Sequence, residues 1–296
     1  MRVRLIVNPV SGKYKAKQCL PLIEKSIRRN GISYDLCMSR YPGHIEEIAR
    51  ESVQSGYSII VVCGGDGTVN EAINGMVGSQ AILSIIPVGT GNDLARNMGI
   101  TEGLDYALSI LKNGVIKKMD LIKVNNQRYF SSVGCVGFDS EVASFANSNK
   151  NKKHLSPTLV YAIGIFATLL SYKEKMITIN FGDDNLSKEI FLTAFGNTRL
   201  YGRGMKITPC AQYDDGIMEI CVIEKVSRLK VMILFPLIYR GGHTNLREVN
   251  FFRAKRVDVS SQEPIALFGD GEFICNTPFT LEVDPLALNI LSPPDP

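Results

Sequence analysis

Three short segments combine glycine with side chains able to handle phosphate. They are Asn8-Pro9-Val10-Ser11-Gly12-Lys13, Gly64-Gly65-Asp66-Gly67-Thr68-Val69-Asn70-Glu71 and Gly89-Thr90-Gly91-Asn92-Asp93. Glycine lets the backbone approach a ligand, and hydroxyl and amide groups donate to phosphate oxygens. Each segment follows an apolar run of strand length. The second and third lead into helical sequence, whose unpaired N–H groups and dipole favour an anion. One such turn alone satisfies nothing more than backbone geometry; three in series, two with an aspartate, point to a ligand. An acid beside a phosphate cradle repels the phosphate unless a cation lies between them. Asp66 and Asp93 therefore read as carboxylates linked to Mg²⁺, directly or through water. No segment matches a Walker A loop, and no GxGxxG follows a strand.

The elements that must position these segments can be read from apolar spacing. Residues 2–7, 32–38, 58–63 and 82–88 form short strands. Between them, residues 15–29 (Leu20, Ile23, Ile27), 45–53 (Ile45, Ile48, Ala49, Val53) and 69–77 have helical spacing. Alternating strands and helices imply a mostly parallel sheet covered on both faces, with ligands at the carboxyl ends of the strands. Further on, β-rich runs with polar turns dominate. Residues 123–124 pair with 129 across Asn125-Asn126-Gln127, 177–181 with 190–194, and 257–260 with 265–268 across Ser261-Gln262-Glu263-Pro264. Helical segments near 158–172 and 228–240 interrupt them. The pattern predicts an α/β domain over residues 1–124 and a larger β-sandwich domain with helical insertions over residues 125–291.

Composition narrows the function classes. With 296 residues, 45% hydrophobic and 21% charged, the chain is ordinary globular protein of two-domain length. The excess of 33 basic over 29 acidic side chains is too mild for a nucleic-acid partner, but permits an anionic membrane surface or a polyphosphate. Seven scattered cysteines without a CxxC pair read as reduced thiols of a cytoplasmic protein. The apolar stretch at the N-terminus is too short for a signal-peptide core and fits a first strand. The apolar run 158–172 falls short of the roughly 20 residues that cross a bilayer.

The second segment resembles the GGDGTxNE signature of the diacylglycerol-kinase catalytic domain, whose GGDGT core also occurs in NAD kinases. Gly89-Thr90-Gly91-Asn92-Asp93-Leu94-Ala95-Arg96 is similar to the GTxNDxAR element of the lipid branch, and Asn8-Pro9-Val10-Ser11-Gly12 to its opening NPxSG. Gly196-Asn197, Gly202-Arg203-Gly204-Met205, Pro209 and Asp214-Asp215-Gly216 follow the spaced N…GGGM…P…DG pattern, and Gly269-Asp270-Gly271-Glu272 the late DGE element. Arg203 departs from the usual glycine, and Gly269 from the usual aliphatic residue. The resemblance spans nearly the whole chain. It implies an α/β domain like those of NAD kinase and phosphofructokinase, a β-sandwich domain, and a return of residues 292–296 to the first domain. A homodimer is the assembly it suggests.

The implied reaction moves the γ-phosphate of ATP onto a lipid hydroxyl, on diacylglycerol or a related lipid. The nucleotide falls to Asn8, Pro9, Ser11, Gly12, Gly65, Asp66, Gly67, Thr68, Asn70 and Glu71, with Thr90, Asn92 and Asp93 near the phosphates and Ser39 or Arg40 after the second strand. Glu272 is the candidate general base and Asp270 the alternative base or a metal-linked acid; against this, Asp-Gly makes a hairpin turn unaided. A second, structural Mg²⁺ falls to Asp215 with the carbonyls of Gln212 and Ile217, or Asp214-Asp215-Gly216 is a plain turn. The basic residues of 149–154 beside the apolar run 158–172, with Lys173 and Lys175 after it, fit either docking on anionic lipid as a peripheral protein of the cytoplasmic membrane face, or a solvated turn beside a core helix. Two other functions compete: an NAD kinase, and a nucleotide- or lipid-binding protein without turnover.

Overall fold

The computed structural model describes residues 2–101, 103–148, 157–182 and 184–294. The chain divides into two compact units, one ending at Leu121 and resuming at Asp284, the other running from Ile122 to Val283. The sequence put the division at 124 and the return at 292. It falls earlier at both places, inside two long strands, Val115–Val124 and Phe279–Ser292.

The first unit is built from β1 (Val3–Val7), α1 (Lys15–Arg29), β2 (Tyr34–Met38), α2 (His44–Gln54), β3 (Ile59–Gly64), α3 (Asp66–Met76), β4 (Ile82–Pro87), α4 (Asp93–Asn97), α5 (Leu104–Asn113) and the start of β5 (Val115–Val124). The strands lie parallel in the order β2-β1-β3-β4, and the end of Phe279–Ser292 extends the sheet beside β4 at Asn289 and Ile290. β3 is buried along its whole length, as expected of a strand covered on both faces. The order reverses between β1 and β3, which makes the carboxyl ends of these two strands a topological switch point, the usual place for a ligand in an open α/β sheet. Helix α3 starts at Asp66, three residues before the sequence expectation of 69. Extended Gly65 precedes it, so Asp66, Gly67 and Thr68 belong to the first turn rather than to a loop.

The second unit comprises β6 (Arg128–Phe130), β7 (Val133–Gly137), α6 (Phe138–Ser148), α7 (Pro157–Ser171), β8 (Lys175–Asn180), β9 (Asn185–Gly196), β10 (Met218–Glu224), α8 (Arg228–Arg240), β11 (Val249–Ala254), β12 (Arg256–Ser261), β13 (Ala266–Gly269), β14 (Glu272–Asn276) and β15 (Phe279–Ser292). Its strand pairs are antiparallel. Alternate residues of β9 and β10 point to different cores. Phe195, Ile220 and Val222 pack with Val257, Leu267 and Leu281 between strands. Ala194, Cys221 and Ile223 pack under Leu169 and Tyr172, at the end of α7 and just beyond it, and under Val231 and Ile238 of α8. Burial on both faces explains the continuous apolar runs of these strands, and gives a β-sandwich-like unit with helices on one outer face.

The hairpin expected between 257–260 and 265–268 is absent. β12 pairs with β8 and β15, whereas β13 pairs with β14 and β7. Pro264 offers no N–H to a ladder, and the amide of Ile265 donates instead to Thr277 Oγ1 at 2.9 Å. Among the described residues, no helix is long and apolar enough to cross a membrane. The basic segment 149–154 lies outside the described residues.

Candidate active site

In the first unit the three glycine segments interlock at the switch point. Asn8 Nδ2 donates to Thr68 Oγ1 at 3.0 Å, and Ser11 Oγ lies 3.2 Å from the same hydroxyl. The amide of Asn8 donates to Cys63 O. Thr68 therefore ties the segment after β1 to the first turn of α3. Asp66 ties α3 to the segment after β4: its Oδ2 accepts the amide of Asn92 at 2.7 Å and its Oδ1 that of Asp93 at 2.6 Å. A Cβ on Gly89 would come within 2.4 Å of Gly65 Cα, so only glycine allows the two chains to pass.

Gly91 marks the point where the acids meet. A Cβ there would lie 2.5 Å from Asp66 Oδ2 and 3.7 Å from Asp93 Oδ2. Two carboxylates around one small space suit Mg²⁺, which is held by one or two carboxylates and completes its octahedron with phosphate oxygens and water. The pair fits the ion although, among the described residues, no cluster of three or more acids, histidines or cysteines forms a metal cage.

Other candidates fall elsewhere. Thr90 is exposed beside Gly91. Asn70 is buried in α3, and Glu71 Oε2 accepts the amide of Ile45 at 3.2 Å, which holds the first turn of α2. The amide of Ser39 donates to Val7 O. Pro9 and Gly12 lie in the turns after β1, and Gly67 in the first turn of α3. Cys63, immediately before Gly64-Gly65, is a core thiol that burial pushes up to about 12, and it supplies no nucleophile.

In the second unit, Asp270 and Gly271 form a two-residue connection between β13 and β14, both with positive φ (51° and 83°), the signature of a type I′ hairpin turn. Glu272 is exposed at the first position of β14. Asp270 Oδ2 accepts the amide and the hydroxyl of Ser131 at 2.8 and 2.9 Å, and Oδ1 accepts the amide of Ser132 at 2.8 Å. No motif in the sequence points to Ser131 or Ser132. Asn197 stood in a motif without a role; its Nδ2 donates to Ser131 O at 2.8 Å.

The set assigned to a second metal does not fit a divalent ion. Asp215 Oδ1 accepts the amide of Ile217 at 3.1 Å, its other oxygen pairs with Arg253 Nη2, and Gln212 is exposed. A cation there would have to displace a guanidinium. Arg253 fills that place. One further acid stands out: Asp139, at the start of α6, accepts from the Tyr201 hydroxyl, and desolvation pushes its carboxyl up to about 6 against that bond.

Comparison with known proteins agrees with these halves. Residues 2–124 match the diacylglycerol kinase catalytic domain, and residues 132–292 the YegS C-terminal NAD kinase beta sandwich-like domain. A diacylglycerol kinase of Mycobacterium tuberculosis is 31% identical over 298 residues, covering 99% of this chain and 95% of that one. One from Staphylococcus saprophyticus is 31% identical over 274 residues, covering 92% and 89%. The fold matches a crystal structure of a diacylglycerol kinase from Bacillus anthracis str. Sterne with a TM-score of 0.78 at 21% identity, over 99% of this chain and 97% of that one.

Proposed function

The chain belongs to the diacylglycerol kinase catalytic domain family of lipid kinases, and from that premise we propose that it moves the γ-phosphate of ATP onto the hydroxyl of diacylglycerol or a related membrane lipid. The observation that carries this reading is the convergence of Asp66 and Asp93 on Gly91, inside three glycine segments at the switch point of a parallel sheet. The amides and hydroxyls of these segments bind the nucleotide phosphates, and the close approach of Gly65 to Gly89 keeps side chains out of the cradle. Asp66 and Asp93 hold Mg²⁺, which when bound neutralises charge on the phosphate oxygens. Glu272 accepts the proton of the lipid hydroxyl.

A lipid substrate requires contact with a bilayer. Ile163, Phe166 and Leu170 form an exposed stripe on α7, and Leu229, Met232 and Tyr239 another on α8. Neither helix carries an acidic residue, whereas α8 carries Arg228, Lys230 and Arg240. Apolar stripes with cationic flanks support peripheral docking on an anionic cytoplasmic membrane face.

The test is ADP release from Mg²⁺-ATP against diacylglycerol, phosphatidylglycerol, a sphingoid base and NAD. Release with a lipid and none with NAD is expected. Release with NAD alone makes the protein an NAD kinase, and ATP binding without release on any acceptor makes it a binding protein.

A further inference from the structure

Building on that reading, we infer that Asp270 is a positioning residue, and that with Ser131, Ser132 and Asn197 it forms a clamp that fixes the hairpin presenting Glu272. The clamp uses every polar main-chain group of the Ser131-Ser132 bend. Both amides donate to the Asp270 carboxylate. Both carbonyls accept from Asn197: Ser131 O from the side chain and Ser132 O from the backbone amide, each at 2.8 Å. Thr198 N adds a second bond to Ser132 O at 3.2 Å. The amide of Asp270 itself donates to Val133 O at 3.1 Å, so the turn residue is held by backbone and side chain alike. Ser131, Ser132 and Asn197 are 1%, 4% and 0% exposed, which shields these bonds from competition with water.

The chemistry divides the two acids. A carboxylate has about four acceptor sites, and Asp270 gives three of them to Ser131 and Ser132. A general base must offer an acceptor to the incoming hydroxyl proton. Asp270 is committed to the bend, whereas Glu272 lies one residue past the turn with its side chain exposed. A two-residue turn between paired strands passes any loosening of Asp270 directly to the first residue of β14, and a misplaced base loses rate without losing nucleotide.

The experiment compares Asp270→Asn, Ser131→Ala and Glu272→Gln with wild type in lipid turnover across pH. An asparagine at 270 sets an NH₂ group against one of the two serine amides. It is expected to lower kcat roughly 10- to 100-fold with KM for ATP unchanged and the acid limb of the rate profile retained. Ser131→Ala deletes only the hydroxyl bond and lowers kcat a few-fold, which keeps the test open if Asp270→Asn misfolds. Glu272→Gln removes roughly 10²-fold or more, together with the acid limb. Loss of the acid limb in Asp270→Asn would make Asp270 the base, and wild-type kcat in both Asp270→Asn and Ser131→Ala would also sink the proposal. Amide hydrogen exchange separates this inference from the functional reading. A wild type without lipid turnover defeats the function, but faster exchange over residues 266–276 in Asp270→Asn still supports the clamp, and unchanged exchange overturns it.

Discussion

Asp66 and Asp270 sit in different units on unrelated architectures, yet they make the same grip. Each stands beside glycines at the end of a strand, and each carboxylate takes two consecutive amides of another segment, one per oxygen: Asn92 and Asp93 in the first unit, Ser131 and Ser132 in the second. In both, a second acid lies nearby: Asp93 beside the same Gly91, and Glu272 past the same turn. The aspartate inside a glycine motif is thus first a strut. Charge-assisted bonds to two amides fix a loop more firmly than neutral partners would. What differs is the setting. Asp66 opens a helix whose N-terminus favours an anion such as phosphate, whereas Asp270 occupies a hairpin turn with no such field.

The largest effects are expected where strut and metal roles overlap. Asp93→Asn should raise the Mg²⁺ concentration for half-maximal ATP use by roughly 10- to 100-fold, because it removes one carboxylate of the pair at Gly91. Asp66→Asn should shift the Mg²⁺ titration and also destabilise the first unit by about 1–3 kcal/mol, since its NH₂ group faces an amide donor. Mg²⁺ titration and thermal melting of both variants check this. If Asp66→Asn melts like wild type, the likeness between Asp66 and Asp270 fails. An unmoved Mg²⁺ titration in both would take the metal from the pair.

Much of this was legible in the chain, because the relevant signals are local. Gly64 to Glu71 and Gly89 to Asp93 advertise phosphate chemistry through residue type alone, and the runs of β1, β3 and β4 announce a parallel sheet. The grips were not legible, because they join residues far apart in sequence. Ser131 and Asp270 are 139 positions apart, and a serine pair before a strand looks like any polar bend. The same limit explains the missing β12–β13 hairpin. Residues 257–260 and 265–268 could pair by length and composition, but Thr277 takes the Ile265 amide, and β14 and β7 take the two edges of β13. The pair of Asp215 and Arg253 was hidden for the same reason, since its members are 38 positions apart with β10 and α8 between them.

A smaller effect comes from an acid that lacks the double grip. Asp139 has the single hydroxyl of Tyr201, which leads into the left-handed turn Gly202-Arg203-Gly204. Desolvation raises its folded pKa from 3.8 to about 6, so the native state binds the proton more tightly than the unfolded chain. Relative to Asp139→Asn, wild type should therefore lose stability as pH rises from about 4 to about 6, match the variant below that window, and stay lower above it. The full difference should be on the order of 1–3 kcal/mol in favour of Asp139→Asn near pH 7. Denaturant unfolding of both proteins across pH checks this. A difference that does not vary with pH would mean that Asp139 is held as firmly as the two gripped acids.

The smallest effect concerns Asp215, held by one amide and one guanidinium rather than two amides. Arg253 pairs in register with Glu219, a buried acid that also accepts the Cys210 amide at 2.9 Å, so one cation faces two carboxylates at the start of β10. Because the Arg253 side chain is half exposed, solvent screens the pair, and Arg253→Met should cost only about 0.5–1 kcal/mol. Its diagnostic value lies in metal response. Nucleotide-free wild type should melt at the same temperature in EDTA and in millimolar Mg²⁺ as far as Asp215 is concerned, whereas Arg253→Met uncovers the carboxylate and should gain stability from Mg²⁺. A Mg²⁺-dependent rise in wild type that Asp215→Asn abolishes would mean that the ion wins this site from the guanidinium. A rise that survives Asp215→Asn belongs to another site, and Asp66→Asn and Asp93→Asn would locate it at Gly91.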